Sequence, residues 1–167
     1  MLRYDVYKEE LLDPFLGVRV MVMDAYFYKG LRDRLYETFQ SGAARILYEM
    51  GLGYGLIMGR IIDEQGKGRI DLYREFLQRG KYHGMAHFQV PTLEAIISEL
   101  RGEIVVRARN SFFAETVGQT GHAECNIFAG YIAGAARVVL NKDYDCVEEK
   151  CVSKKDDYCE FRLKQRK

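Results

Sequence analysis

The sequence predicts a mixed α/β domain of the α+β type, built from long helices and antiparallel strands. Three patterns carry this prediction. Apolar residues recur at helical spacing through 24–63 and again through 122–140, β-branched and apolar residues alternate in Gly17–Met23 and in runs at 85–90 and 103–109, and a hairpin signature stands near the C-terminus. With 167 residues, 48% of them apolar, the chain has material for one sizeable core. Pro14 and Pro91 are its only prolines, and no repeat or low-complexity tract divides it, so a single domain over 1–167 is expected.

Taken in order, GVRVMVM at 17–23 alternates as a strand with one covered face. Asp24 is an N-cap candidate for a first helix that places Leu31, Leu35 and Phe39 on one side. Ser41 can cap a second helix, Gly42–Asp63, which aligns Ala44, Leu47, Tyr48, Gly51, Gly55, Met58 and Ile62. Glycines at 51, 53, 55 and 59 each cost about 1 kcal/mol of helix propensity, so something must compensate. The four-residue recurrence of Gly51, Gly55 and Gly59 makes a smooth groove suited to close packing of another helix. It is not a phosphate loop, because neither the dinucleotide fingerprint nor the Gly-Lys-Ser/Thr ending is present.

Beyond the loop EQGKG at 64–68, Ile70–Tyr82 reads as a helix with Leu72, Phe76 and Leu77 inward, ended by Gly84. Apolar runs follow at Met85–Val90, Leu93–Leu100 and Glu103–Arg109, with Arg101-Gly102 as a tight turn; LEAIISEL also fits a helix capped by Thr92. Asn110–Gly121 reads as a loop carrying two adjacent phenylalanines. His122–Leu140 is helical through Ile127, Tyr131, Ile132, Ala135 and Val139, and Gly130 and Gly134 thin one side. Finally, Asp145–Val152 and Tyr158–Lys164 form a hairpin that, centred on Lys155, sets Cys151 opposite Cys159.

Charge and composition remove several functions. A net charge of +1 supplies no field for phosphate backbones, which argues against direct nucleic-acid binding. No uncharged stretch approaches the roughly 20 residues of a membrane span, and MLRYDVYKEELLD lacks the apolar block of a secretion signal, so a cytoplasmic protein is expected. In that reducing setting the four cysteines point to metal or redox chemistry more than to disulfides. Cys125, in the first turn of the last helix, has its thiolate favoured by the helix dipole. If it meets Cys151 and Cys159, three thiolates and one more donor make a closed tetrahedral zinc site of structural type. Glu148, Glu149, Cys146 and His122 are open candidates for that donor. Simple alternation turns Glu149 towards Cys151, whereas Glu148 turns inward only if a bulge breaks the pattern. His83 and His87 have helical metal-pair spacing, but Gly84 ends the helix between them. Ser111 and Thr116 have no accompanying base, so nucleophilic catalysis is unsupported.

The glycine-marked helix GAARILYEMGLGYGLIMG, the loop NSFFAE, the helix CNIFAGYIAG and the ending CVEEKCVSKKDDYCEFRL together resemble the 4-vinyl reductase domain family over about Gly17–Lys164. The spacing of Cys125, Glu148, Cys151 and Cys159 is similar to that of the zinc site in aromatic-sensing domains of phenol-responsive bacterial regulators. The resemblance therefore implies Glu148 as fourth ligand, structural zinc in a C-terminal hairpin at about 144–165, and Cys146 as a spare thiol. It also implies an antiparallel sheet covered by helices, a fold shared with small TRAPP subunits, and a homodimer that encloses an apolar or aromatic small molecule. Phe88, Phe112, Phe113, Tyr131 and Met58 are candidate walls for such a ligand. Two alternatives follow from the same family: a TRAPP-like scaffold, or a reductase or accessory factor for a vinyl tetrapyrrole. The last lacks a visible dinucleotide or flavin motif.

Overall fold

The computed structural model describes residues 3–5, 8, 10–13, 17–64, 77, 78, 80, 83–89 and 103–166. Strands β1 (Arg3–Asp5), β2 (Glu10–Asp13) and β3 (Val18–Val20) form an antiparallel sheet in that order. The expected first strand is thus present but shorter than Gly17–Met23, and the two strands before it are additions to the sequence reading.

Helix α1 (Ala25–Phe39) begins where the sequence places it, with the Asp24 carboxylate accepting from the Phe27 N–H at 2.9 Å. Its expected inward face is corrected: Tyr28 is the residue it buries, while Leu31 and Phe39 are exposed. Apolar periodicity marks a stripe that needs cover; it does not say that the same chain supplies the cover. Helix α2 spans Gly42–Asp63 as expected, although the Ser41 side chain makes no capping hydrogen bond.

Most of the expected helix 70–82, including Leu72 and Phe76, and the whole run 93–100 with the turn at 101–102 lie outside the described residues; Leu77 is buried. Strands β4 (His87–Gln89) and β5 (Glu103–Arg109) match two of the expected apolar runs. The expected loop after them instead contains a short helix, α3 (Phe112–Val117), because Ser111 caps it by accepting from the Ala114 N–H. Helix α4 (Asn126–Val139) follows, then β6 (Tyr144–Lys150), a 3₁₀ turn (Val152–Lys154) and β7 (Cys159–Gln165). The second sheet has the antiparallel order β4-β5-β7-β6.

This sheet presents Phe88, Ile104, Val106, Ala108, Cys146, Phe161 and Leu163 to the core. Helix α4 packs on β6 and α2 packs on α4, so every residue from Phe128 to Ala136 is buried. The groove-forming glycines are accounted for by this contact. A Cβ on Gly51 would stand 2.0 Å from the Ile127 carbonyl oxygen, and one on Gly130 would stand 2.0 Å from that of Tyr48. Gly55 and Gly134 meet backbone at 2.2 and 2.3 Å in the same way. Four glycines, two from each helix, let the backbones touch, and the burial gained there offsets their propensity cost.

Candidate metal centre

The site lies where the start of α4 meets the hairpin of β6 and β7. Residues 144–148 of β6 alternate regularly, with Cys146 opposite Leu163 and Glu148 opposite Phe161, both on the face turned to the core. The register then shifts between Glu148 and Lys150, so that Lys150 pairs with Glu160. The extra residue is Glu149, which is turned out and receives a 2.7 Å hydrogen bond from Arg162 Nε. The bulge is therefore real, and it corrects the alternation argument: Glu148 joins the cysteines and Glu149 does not.

Past the bulge, Cys151 is placed by a tight knuckle. Its N–H donates to Asp156 Oδ2 at 2.8 Å, and its carbonyl accepts from the Lys154 N–H at 2.8 Å. Lys155 takes a left-handed φ of 73° to close the turn. Ser153 fastens the knuckle to the loop below: its hydroxyl donates to the Ala114 carbonyl at 3.2 Å, and its own carbonyl accepts from the Thr120 and Gly121 N–H groups.

Cys125 occupies the N-cap position of α4 rather than its first turn. Its N–H donates to Glu148 Oε2 at 2.8 Å, and its Sγ lies 3.1 Å from the Ser111 hydroxyl. Cys125, Cys151 and Cys159 are all fully buried, at 0% exposure. The Cys125–Cys159 and Cys151–Cys159 sulfur separations are 3.7 and 3.9 Å, and all four cysteines are free thiols. These separations are far beyond the ~2.05 Å of a disulfide. They match instead the edge of about 3.8 Å of a tetrahedron whose centre-to-sulfur distance is ~2.3 Å.

One donor atom from each of Cys125, Glu148, Cys151 and Cys159 lies within 4.8 Å of every other, close enough to hold a metal ion. The carboxylate also fits an ion on another count. Oε2 is held by the Cys125 N–H, while Oε1 is buried and has no hydrogen-bond partner among the described residues. Burial, reinforced by the Cys151 sulfur, pushes the Glu148 carboxyl up to about 8. Burial likewise raises the Cys125 thiol well above its ordinary range. Cys151 is driven the other way by its contacts with the Cys125 and Cys159 sulfurs. For Cys159 the Cys125 contact is lowering, but the Cys151 contact and burial prevail and hold it protonated. Protons thus occupy positions that a cation would fill, a condition typical of a ligand set built for a metal.

His122 is exposed and outside the cluster, correcting its candidacy. Cys146 is buried, its thiol raised first by desolvation and then by Glu148 and Asp145; it is not among the four clustered donors. His83 engages Asp13 at 2.8 Å, whereas His87 is exposed on β4. Sequence reasoning treats Ser111 only as a nucleophile candidate and misses its place against Cys125. The available signal is a serine immediately before FFAE, a helix-start pattern.

Beside the centre, an aromatic chain runs through Tyr28, Phe113, Phe128 and Phe88, with ring centroids 4.6, 4.5 and 5.3 Å apart in turn. Phe112 flanks Tyr28 and Phe113. Of the other candidate walls, Tyr131 stacks on Tyr54, and Met58 is buried in the core. Helix α1 reaches the centre through Arg32, whose Nε and Nη2 donate to Glu124 at 3.1 and 2.5 Å; Glu124 is buried and directly precedes Cys125.

Comparison with known proteins gives these features a context. The family model of the 4-vinyl reductase domain matches residues 104–165. An uncharacterised protein of Methanocaldococcus jannaschii is 27% identical over 128 residues, covering 76% of this chain and 68% of its own length. The structure is similar to the phenol-responsive sensory domain of the transcription activator PoxR, solved with phenol, at a TM-score of 0.83 and 17% identity over 98% of this chain and 84% of that one. It is also similar to a vinyl-4-reductase family protein from Methanocaldococcus jannaschii, with a TM-score of 0.64 and 14% identity over 89% and 85% of the two chains. A trafficking protein particle complex subunit 3 from Naegleria fowleri, covalently bound to palmitic acid, gives 0.55 and 18% over 86% and 93%. The 4-vinyl reductase resemblance read from the sequence is thus borne out over residues 104–165, the segment that supplies every donor of the cluster, within a fold shared with the phenol-sensing domain.

Proposed function

We propose that the chain is a non-catalytic, sensor-type domain for a small apolar or aromatic molecule, with a structural zinc held by Cys125, Glu148, Cys151 and Cys159. The observation that carries this reading is the closed donor set: three buried sulfurs at tetrahedral-edge spacing and a carboxylate with one unpartnered buried oxygen. Four protein donors leave no coordination position for a substrate, which favours a fastener over a Lewis acid. Bound zinc supplies a cross-link between the start of α4 and the hairpin. The protein supplies the rest: the bulge aims Glu148, the knuckle aims Cys151, and the Cys125 N–H orients the carboxylate. This reading also takes the chain as one domain in the cytoplasm, with no direct contact to nucleic acid.

An aromatic ligand is supported by the phenol in the similar sensory domain and by the Tyr28–Phe113–Phe128–Phe88 chain beside Cys125, whose rings offer edge and face contacts worth about 1 kcal/mol each beyond burial. Elemental analysis with native mass spectrometry of the freshly purified protein tests both halves. One zinc per chain and a retained apolar small molecule are expected. A chain without stoichiometric metal sinks the zinc reading.

A second reading, a scaffold that binds through its helix surface, is favoured by the exposed apolar run Met21, Val22, Tyr26 and Phe27 at the start of α1. On the first reading the same run seats a second copy in a homodimer. An empty dimer carrying zinc supports the scaffold; a dimer carrying a small molecule supports the sensor.

A further inference from the structure

The Ser111 hydroxyl is almost fully buried, at 1% exposure, and its oxygen lies 3.1 Å from Cys125 Sγ. It also accepts from the Ala114 N–H as the N-cap of α3. A hydroxyl has one proton and two lone pairs, so accepting from Ala114 leaves the proton free to point at sulfur. A metal-bound cysteine carries no proton, and the hydrogen between these two atoms then comes from serine.

We propose that Ser111 is a positioning residue of the metal centre, donating a hydrogen bond to the Cys125 thiolate and fixing that sulfur relative to α3. The proposal rests on the zinc reading above. Cys125 is the donor most in need of such support. The other three stand on one hairpin, aimed by its bulge and knuckle, whereas Cys125 comes from a separate element and its side chain makes no capping hydrogen bond with its own helix. Its sulfur is buried, so bulk water does not supply the missing donor. Groups that hydrogen-bond a metal's ligands commonly set its affinity by about ten- to a hundredfold, and Ser111 is placed to act in this way. A buried thiolate with one fewer donor is also more electron-rich, which gives the proposal a spectroscopic signature.

The test uses the full chain and two probes, Zn²⁺ competed against a chromophoric chelator and Co²⁺ read by its sulfur-to-metal charge-transfer band. Ser111→Ala removes both the hydroxyl and the cap. Ser111→Gly removes the hydroxyl but keeps a residue that serves well at an N-cap, and Ser111→Thr keeps the hydroxyl. Both hydroxyl-deleting variants are expected to bind one Zn²⁺ about 10- to 100-fold more weakly and to shift the Co²⁺ band to lower energy, with Ser111→Thr restoring the wild-type band. Two results overturn the proposal while leaving the zinc reading intact: unchanged affinity and band position in Ser111→Gly, or a loss confined to Ser111→Ala, which assigns the effect to helix capping. Wild-type protein without a sulfur-to-cobalt band overturns the zinc reading, and the role of Ser111 with it.

Discussion

Glu148 and Glu149 are adjacent and chemically identical, yet the structure gives them opposite surroundings. One is drawn in against three sulfurs, and the other is turned out to Arg162. Strand alternation alone favours the wrong one, because a bulge is a property of the paired strand and leaves no mark in a single sequence. The three cysteines are legible from chemistry and hairpin register; the carboxylate is legible only through family resemblance. Ser111 stays hidden because a serine shows its partner only after folding. Glu148→Gln is expected to lower zinc content sharply and Glu149→Gln to leave it unchanged, as measured by metal analysis after gel filtration. Cys151→Ser should lower metal content and melting temperature together, by about 10 °C if the lost cross-link is worth about 3 kcal/mol in a domain of this size.

Acidity at the same residues sets a further expectation. Glu148, raised to about 8, and Cys125, raised by burial, both keep protons near neutrality in the metal-free protein. Each must lose its proton to bind a cation, so metal uptake releases protons and affinity strengthens as pH rises. Chelator competition across the neutral range, below the raised Glu148 value, should show zinc affinity rising by about tenfold or more per pH unit. A slope near zero would mean that the donors are already ionised.

At the scale of elements, α2 is readable to its boundaries because its apolar period is long and regular, and the close-packing role of its glycines follows from their spacing. Helix α3 is invisible to periodicity because six residues are too few to show a period. For helix α1 the apolar stripe misleads about the inward face, since Leu31 and Phe39 are apolar without being covered within the chain. The glycine contact makes a paired prediction. Gly134→Ala puts a methyl group 2.3 Å from the Leu52 oxygen and should cost about 3 kcal/mol in chemical denaturation by forcing two backbones apart. A Cβ at Gly53 has no atom within 4 Å among the described residues, so Gly53→Ala should instead stabilise by up to about 1 kcal/mol.

For the whole molecule, the class of fold and the antiparallel C-terminal sheet are legible in the sequence. The N-terminal sheet is not, because its strands of three and four residues are too short to alternate visibly. No helix among the described residues is long and apolar enough to cross a membrane. The exposed Met21, Val22, Tyr26 and Phe27 form an apolar run of the kind that partners cover, and on the homodimer reading that partner is a second copy. Val22→Asp combined with Tyr26→Asp should then halve the mass measured by light scattering, with zinc content preserved because the run lies outside the donor cluster. An unchanged mass would move the contact between copies elsewhere.

The backbone-to-backbone seam between α2 and α4 bears on how any message could leave the domain. Side chains that interlock can swap rotamers and so support two alternative arrangements, but peptide groups pressed directly together have no such second setting. That seam behaves as a rigid keel. Movement provoked by an occupant is left to α1, which is moored by one tyrosine ring and one arginine–glutamate clasp, and whose outer side is the surface a neighbour would feel.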